Sequence, residues 1–193
     1  MDKIAILILA AGSASRMGKV KQLLSYKHTT LLGYTIEQAL KTPADAIYCV
    51  LGAGAANIKN EIRQPVKTIF NPNWEQGMGS SIAVGIQEIE KAGFDYALIL
   101  LADQPRIDAV FLTQLIGMAA VHKNTLIASD YGSKNGVPAL FPKSFFDQLK
   151  TLDGDQGARQ LLNSGNLQPL TLIAEDRVQD IDTPDDYSRL LKN

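Results

Sequence analysis

Short apolar runs recur along the chain at residues 3–9, 46–51, 67–70, 96–101, 125–129, 137–141 and 170–173. They are too short for core helices and several are rich in β-branched residues, so they read as strands. Between most of them the apolar period changes. Leu32, Ile36 and Leu40 repeat every four residues, Ile82, Ile86 and Ile89 mark a second stripe, and Phe111, Leu115 and Met118 a third. Such stripes predict amphipathic helices. Strands alternating with helices predict an α/β protein: a three-layer α/β/α arrangement with a mostly parallel sheet covered on both faces. Ligands of such sheets collect beyond the carboxyl ends of the strands.

The first run has the most informative exit. Ile4-Ala5-Ile6-Leu7-Ile8-Leu9 empties into Ala10-Ala11-Gly12-Ser13-Ala14-Ser15-Arg16-Met17-Gly18, and Lys19-Val20-Lys21-Gln22 follows. Small residues after a strand let a ligand approach the backbone. Arg16 and Lys21 add positive charge beside exposed amides, which suits a polyphosphate. The spacing excludes a Walker A loop: five residues lie between Gly12 and Gly18, and Val20 stands where a magnesium-binding hydroxyl is needed. The G-x-G-x-x-G fingerprint is also missing, which makes a nicotinamide-dependent oxidoreductase the weakest candidate.

Other segments carry candidate chemistry. Tyr96–Leu101 is a second strongly apolar strand, and it ends in Ala102-Asp103-Gln104-Pro105. An Asp at that position points into the ligand crevice, and magnesium takes one or two carboxylates plus phosphate oxygens, so Asp103 is the first metal candidate. The competing role is a cap for the turn or for a helix starting near Ile107. Asn71-Pro72-Asn73-Trp74-Glu75-Gln76-Gly77-Met78-Gly79-Ser80-Ser81 runs into a helix. Asn71, Gly79, Ser80 and Ser81 there are candidates for nucleotide contact at a helix N-terminus, and a Ser that simply caps the helix is the alternative. Trp74 could stack on a ring or only pack. In Asp180-Ile181-Asp182-Thr183-Pro184-Asp185-Asp186, Thr183 and Pro184 form a helix start and the two following acids favour its dipole. Asp182 lies just before the cap and is free to point elsewhere.

Composition narrows the classes. The 193 residues, 46% hydrophobic, can bury one substantial core, so one domain over residues 1–193 is expected. A net charge of −1 argues against a non-specific nucleic-acid binder. The lone cysteine, Cys49, lies in a strand and is expected to be buried and inert, and zinc spacing is absent. His28 and His122 read as surface residues. The N-terminus lacks the pattern of a signal peptide and no apolar stretch reaches membrane-spanning length, so the expected location is cytoplasmic, with no membrane partner.

The pattern L-A-A-G-x-S-x-R-M-G-x-x-K-Q-L-L, with the motifs around Gly79, Asp103 and Asp182, resembles the molybdenum cofactor cytidylyltransferase-like nucleotidyltransferases. The resemblance spans nearly the whole chain and implies the nucleotide-diphospho-sugar transferase (Rossmann-like) fold. It implies transfer of a nucleoside monophosphate to a phosphate acceptor, molybdopterin, with pyrophosphate released and Mg2+ as cofactor. Asp182 joins Asp103 as metal ligand in that reading. Arg16 and Lys21 are the catalytic cations on the β and γ phosphates, and the backbone from Leu9 through Ala10, Ala11 and Gly12 reads base and ribose. Gly136, Pro138 and Arg159 fall in stretches that read as loops near a substrate pocket and resemble the acceptor side of the cytidylyl branch. The first stretch reads equally as a plain hairpin, and Arg159 as an ordinary helix-surface ion pair. Leu9-Ala10-Ala11-Gly12, where guanylyl enzymes resemble L-A-G-G, favours CTP over GTP. Molybdenum hydroxylase maturation proteins are the protein partners the resemblance implies. Three other readings stay open at this point: a sugar-phosphate or alditol-phosphate pyrophosphorylase, a guanylyltransferase of molybdopterin, and a nucleotide-binding maturation factor without turnover.

Overall fold

The computed structural model describes residues 2–13, 17–155, 157–165 and 167–192. Its central strand, β1 (Ile4–Ala10), is buried along its whole length, as its unbroken apolar sequence requires of a strand covered on both faces. It pairs in parallel with β4 (Ala46–Leu51) on one side and β6 (Tyr96–Leu101) on the other. A short antiparallel hairpin, β2 (Ser25–Tyr26) and β3 (Thr29–Thr30), stands apart from the main sheet.

The remaining strands are β5 (Lys67–Phe70), β7 (Ile127–Asp130), β8 (Asn135–Pro142) and β9 (Leu170–Ile173). The sheet runs β5-β4-β1-β6-β8-β7-β9. It is mostly parallel, and the departure is β8, which runs antiparallel to both β6 and β7. A tight β7–β8 connection makes that direction obligatory, because parallel neighbours need a long crossover.

Both faces are covered, in the predicted three layers. Ile4, Ile6 and Ile8 face one side, where they meet α1 (Leu31–Leu40), α2 (Ala55–Glu61) and α4 (Ala109–Val121) through Leu32, Ile36, Ile58, Leu112 and Leu115. Ala5, Leu7 and Leu9 face the other, against α3 (Met78–Lys91), α5 (Phe146–Lys150) and α6 (Arg159–Leu162) through Ile82, Ile86, Ile89, Phe146 and Leu162. The alternation of β1 side chains thus supplies both layers.

A smaller cluster positions the functional end. Leu24, Leu31, Ile181 and Leu190 pack together, with Met17, Tyr26 and Tyr187 against them. Tyr187 donates its hydroxyl to the Ser25 carbonyl at 2.6 Å, and Tyr187 belongs to α7 (Pro184–Leu190). This packing brings the segment after β1 and the segment before α7 to the same edge of the sheet. Among the described residues no helix is long and apolar enough to cross a membrane.

Candidate active site

The loop after β1 is fixed from behind by one side chain. Gln22 is 5% exposed, and its Nε2 donates to the carbonyls of Ala10 at 2.9 Å and Gly12 at 3.0 Å. Two carbonyls held this way set the path of the chain between them. The adjacent Lys21 sits on a single helical turn, residues Lys21–Leu23. Its Nζ reaches 2.6 Å from Asp103 Oδ2 and 2.9 Å from Asp182 Oδ1. Burial works against the Lys21 charge, but the Asp103 carboxylate, and then Asp182, outweigh it and hold the ammonium above its ordinary value.

Each carboxylate has its own support. Asp103 follows β6, and its carbonyl accepts from the Ile181 N–H at 3.0 Å, which ties the Asp182 segment to the strand end. Asp103 does not cap α4, because Asp108 fills that role by accepting from the Phe111 N–H at 2.8 Å. Asp182 precedes a capping box in which Thr183 and Asp186 satisfy one another's backbone. Asp186 Oδ2 also accepts from the Asp182 N–H at 3.3 Å. Asp180 adds a third carboxylate nearby. Burial and then the Asp103 charge push its carboxyl above the usual range, while Gln104 Nε2 donates to it at 2.9 Å.

These groups border a cleft of about 830 Å³. Leu9, Ala10, Ala11, Gly12, Lys21, Ser81, Asp103, Arg159 and Asp182 all line it. Arg16 lies outside the described residues. Asn71, Gly79 and Ser80 stand behind the wall instead of on it. Asn71 is 2% exposed and donates Nδ2 to the hydroxyls of Ser80 and Ser81 at 2.9 and 3.0 Å, which stitches the end of β5 to α3. Ser80 in turn donates to the Asn73 and Gly77 carbonyls, so no Ser side chain caps α3. Gly79 lets the loop at residues 153–154 press on the helix: its N–H donates to Gly154 O at 2.9 Å, and a Cβ there would come within 2.6 Å of the Asp153 backbone.

Gly136 and Pro138 lie in β8, and neither lines the cleft. The Tyr131 ring covers Gly136, and the Tyr131 hydroxyl donates to the Val137 carbonyl. The segment read from sequence as a pocket loop is therefore a hairpin strand, the plainer of its two readings.

Gln22, Trp74, Met78 and Asp155 also line the cleft; sequence reasoning gave Gln22, Met78 and Asp155 no site role and left Trp74 between ring stacking and packing. For Trp74 a signal exists at Gly52. A Cβ on Gly52 would meet Trp74 Cβ at 2.5 Å and the Ala11 carbonyl at 2.6 Å, so the glycine lets the indole seat against the end of β1. Among the described residues no group of three or more His, Cys, Asp or Glu side chains could hold a metal ion. The pair Asp103 and Asp182 remains, and Asp103 Oδ1 is buried with no hydrogen-bond partner among the described residues. Two hard oxygen donors, one of them unsatisfied, fit a divalent cation that fills the rest of its shell from a ligand.

Comparison with known proteins identifies the family. The model of the MobA-like NTP transferase domain matches residues 6–170. Purine catabolism protein PucB of Bacillus subtilis is 32% identical, over 94% of this chain and 92% of that protein. Nicotine blue oxidoreductase of Paenarthrobacter nicotinovorans is 27% identical (96% and 95%), and molybdenum cofactor cytidylyltransferase of Escherichia coli 24% (97% and 95%). Among solved structures, Rv0371c from Mycobacterium tuberculosis superposes with a TM-score of 0.89 at 29% identity, over 100% of this chain and 98% of that one. A manganese complex of Rv0371C superposes at 0.84 with 27% identity, over 99% of each chain.

Proposed function

The chain belongs to the MobA-like NTP transferase family and is a nucleotidyltransferase, and from that premise we propose that it moves CMP from CTP onto a phosphate of molybdopterin. The observation that carries this reading is the Lys21–Asp103–Asp182 cluster beside the backbone of Ala10–Gly12 in one cleft. An acceptor phosphate oxygen attacks the α-phosphorus of the triphosphate. A new O–P bond forms, the bond from the α-phosphorus to the bridging oxygen breaks, and its electron pair leaves with pyrophosphate. Nucleophile and electrophile are both anionic, so the protein's task is to position and neutralise, and no covalent enzyme intermediate is needed. Lys21 neutralises the charge that grows on the leaving phosphates once the nucleotide is bound. Asp103 and Asp182 would hold a magnesium ion, which when bound supplies further neutralisation of phosphate oxygens. The similarity to a protein solved with manganese supports a divalent cation in this role.

The sheet order supports one orientation of the donor. Gly52, with Trp74 against it, follows β4 on one side of β1, and Asp103 follows β6 on the other. The two flanks are separated by two strand spacings, about 10 Å. The nucleobase rests on the Trp74 side and the triphosphate on the Lys21 side. Arg159, on the cleft wall, takes the acceptor. The Leu9-Ala10-Ala11-Gly12 pattern supports CTP, with Ala11 lining the cleft.

The test is pyrophosphate release from CTP, GTP and ATP, each with molybdopterin or with a panel of sugar phosphates. The expected result is turnover with CTP and molybdopterin above every other pair. A clear preference for GTP overturns the donor, and turnover only with a sugar phosphate overturns the acceptor. In the same titrations the emission of Trp74, the single tryptophan of the sequence, should fall with CTP and stay constant with tripolyphosphate. An equal response to both removes Trp74 from the base side.

A further inference from the structure

Two roles converge on one place in this cleft. Lys21 is the cation for the phosphates, yet its ammonium sits between Asp103 Oδ2 at 2.6 Å and Asp182 Oδ1 at 2.9 Å, on the carboxylates that suit a divalent ion. Both roles cannot be filled in this arrangement. An ammonium and a divalent cation sharing two carboxylates would repel at close range, in a site partly shielded from water. The Lys21 side chain keeps only 15% exposure, so leaving the carboxylates without a new anionic partner would strand a partly buried charge.

A triphosphate arriving alone meets the opposite obstacle. It must draw Lys21 away and then lie beside two uncompensated carboxylates. Together the two ligands remove both obstacles: the cation takes the carboxylates and the phosphates take the lysine. Lys21 satisfies only one oxygen of Asp103, and Oδ1 has no partner among the described residues, so the lysine is an incomplete match for the pair.

We propose that Lys21 is an exchangeable internal counter-ion, held by Asp103 and Asp182 in the nucleotide-free protein and passed to the triphosphate when a divalent cation takes their place, so that cation and nucleotide bind with positive cooperativity. The proposal rests on the reading of Asp103 and Asp182 as metal ligands. It predicts a gain of function that simple loss of a phosphate-binding lysine does not: without Lys21 the carboxylates should hold a cation more tightly.

The experiment is Mn2+ binding to the full chain, read from the electron paramagnetic resonance signal of the free ion. It is run without nucleotide and with α,β-methylene CTP, whose α–β link cannot be broken by transfer. Binding of Mn2+ to the analogue alone is measured in parallel and subtracted. Without nucleotide, K21M should bind Mn2+ roughly tenfold more tightly than the unmodified protein, the size of an ordinary coupling between sites. K21R, which keeps the charge, should bind weakly, like the unmodified protein. The analogue should tighten Mn2+ binding in the unmodified protein and do so much less in K21M. K21Q provides the same neutral comparison should K21M fail to fold. If K21M and K21Q bind Mn2+ no more tightly than the unmodified protein, while D103N loses it, the exchange is overturned and the metal site stands. If neither the unmodified protein nor the neutral variants bind Mn2+, with or without the analogue, the metal reading falls and the exchange with it.

Discussion

At the scale of single residues, Lys19 and Lys21 show how position decides the role of a charge. Both follow the same loop, but Lys19 is exposed while Lys21 is drawn in between two carboxylates. Loss of one preorganised charge commonly costs roughly 3 kcal/mol of transition-state stabilisation. Lys21→Ala is therefore expected to lower kcat/KM by about two orders of magnitude with the fold retained, whereas Lys19→Ala should stay within a few-fold of the unmodified protein. Steady-state kinetics on the two variants decides the matter, and equal losses would mean that the phosphate lysine has been misidentified. Sequence pattern alone could select Lys21, because the resembled motif singles it out. It could not show that Asp103 and Asp182 hold this lysine, since they lie 82 and 161 residues further along.

At the scale of elements, the start of α7 does more than its sequence suggests. Asp185 and Asp186 read as charges that complement a helix dipole. In the structure Asp186 Oδ2 accepts from the Thr183 N–H at 2.9 Å, from the Thr183 hydroxyl at 2.7 Å and from the Asp182 N–H at 3.3 Å. The Thr183 hydroxyl, ahead of the backbone donors, holds the Asp186 carboxyl below its ordinary value of 3.8. The cap therefore also orients the backbone of a candidate metal ligand. Asp186→Ala is expected to lower Tm by roughly 2–4 °C, a typical shift for loss of one such interaction in a chain of this size. Because the folded pKa is lowered, the carboxylate stabilises the fold above pH 3.8 and that contribution fades as pH falls through the folded value. Melting curves of both proteins across acid pH should converge below that range, and a gap that persists in strong acid would rule out the carboxylate as its source.

For the whole molecule, β1 sits between β4 and β6, and its two faces supply the two helical layers. Cys49 on β4 reports on that core, being fully buried, with burial pushing its thiol up to about 12 from 9.0. The folded thiol therefore stays protonated where the unfolded one ionises. Its contribution to stability is complete below pH 9 and is lost as pH rises toward 12. At pH 8 the folded protein should not react with a thiol reagent, and reaction should follow the unfolded fraction through a urea titration. Fast labelling without denaturant would show that the sheet opens locally around β4.

The strands of the main sheet, the three amphipathic stripes, and the loop of small residues with its lysine were legible from residue order alone, whereas the two-residue strands β2 and β3 were too short to leave a pattern. These signals are local, set by side-chain period and backbone preference within one segment. Even the ends are close: the run at 96–101 is β6 (Tyr96–Leu101), and that at 46–51 is β4 (Ala46–Leu51). The class of the sheet followed from the same alternation. The tertiary structure was needed to show that Gly136 and Pro138 belong to an antiparallel strand outside the cleft lining, that Asn71 ties α3 to the sheet, and that Gln22 holds the loop from behind. It alone put Lys21 on Asp103 and Asp182. Each of these depends on which distant segments cross at the carboxyl edge of the sheet, and packing and charge pairing across such crossings leave no local periodicity to read.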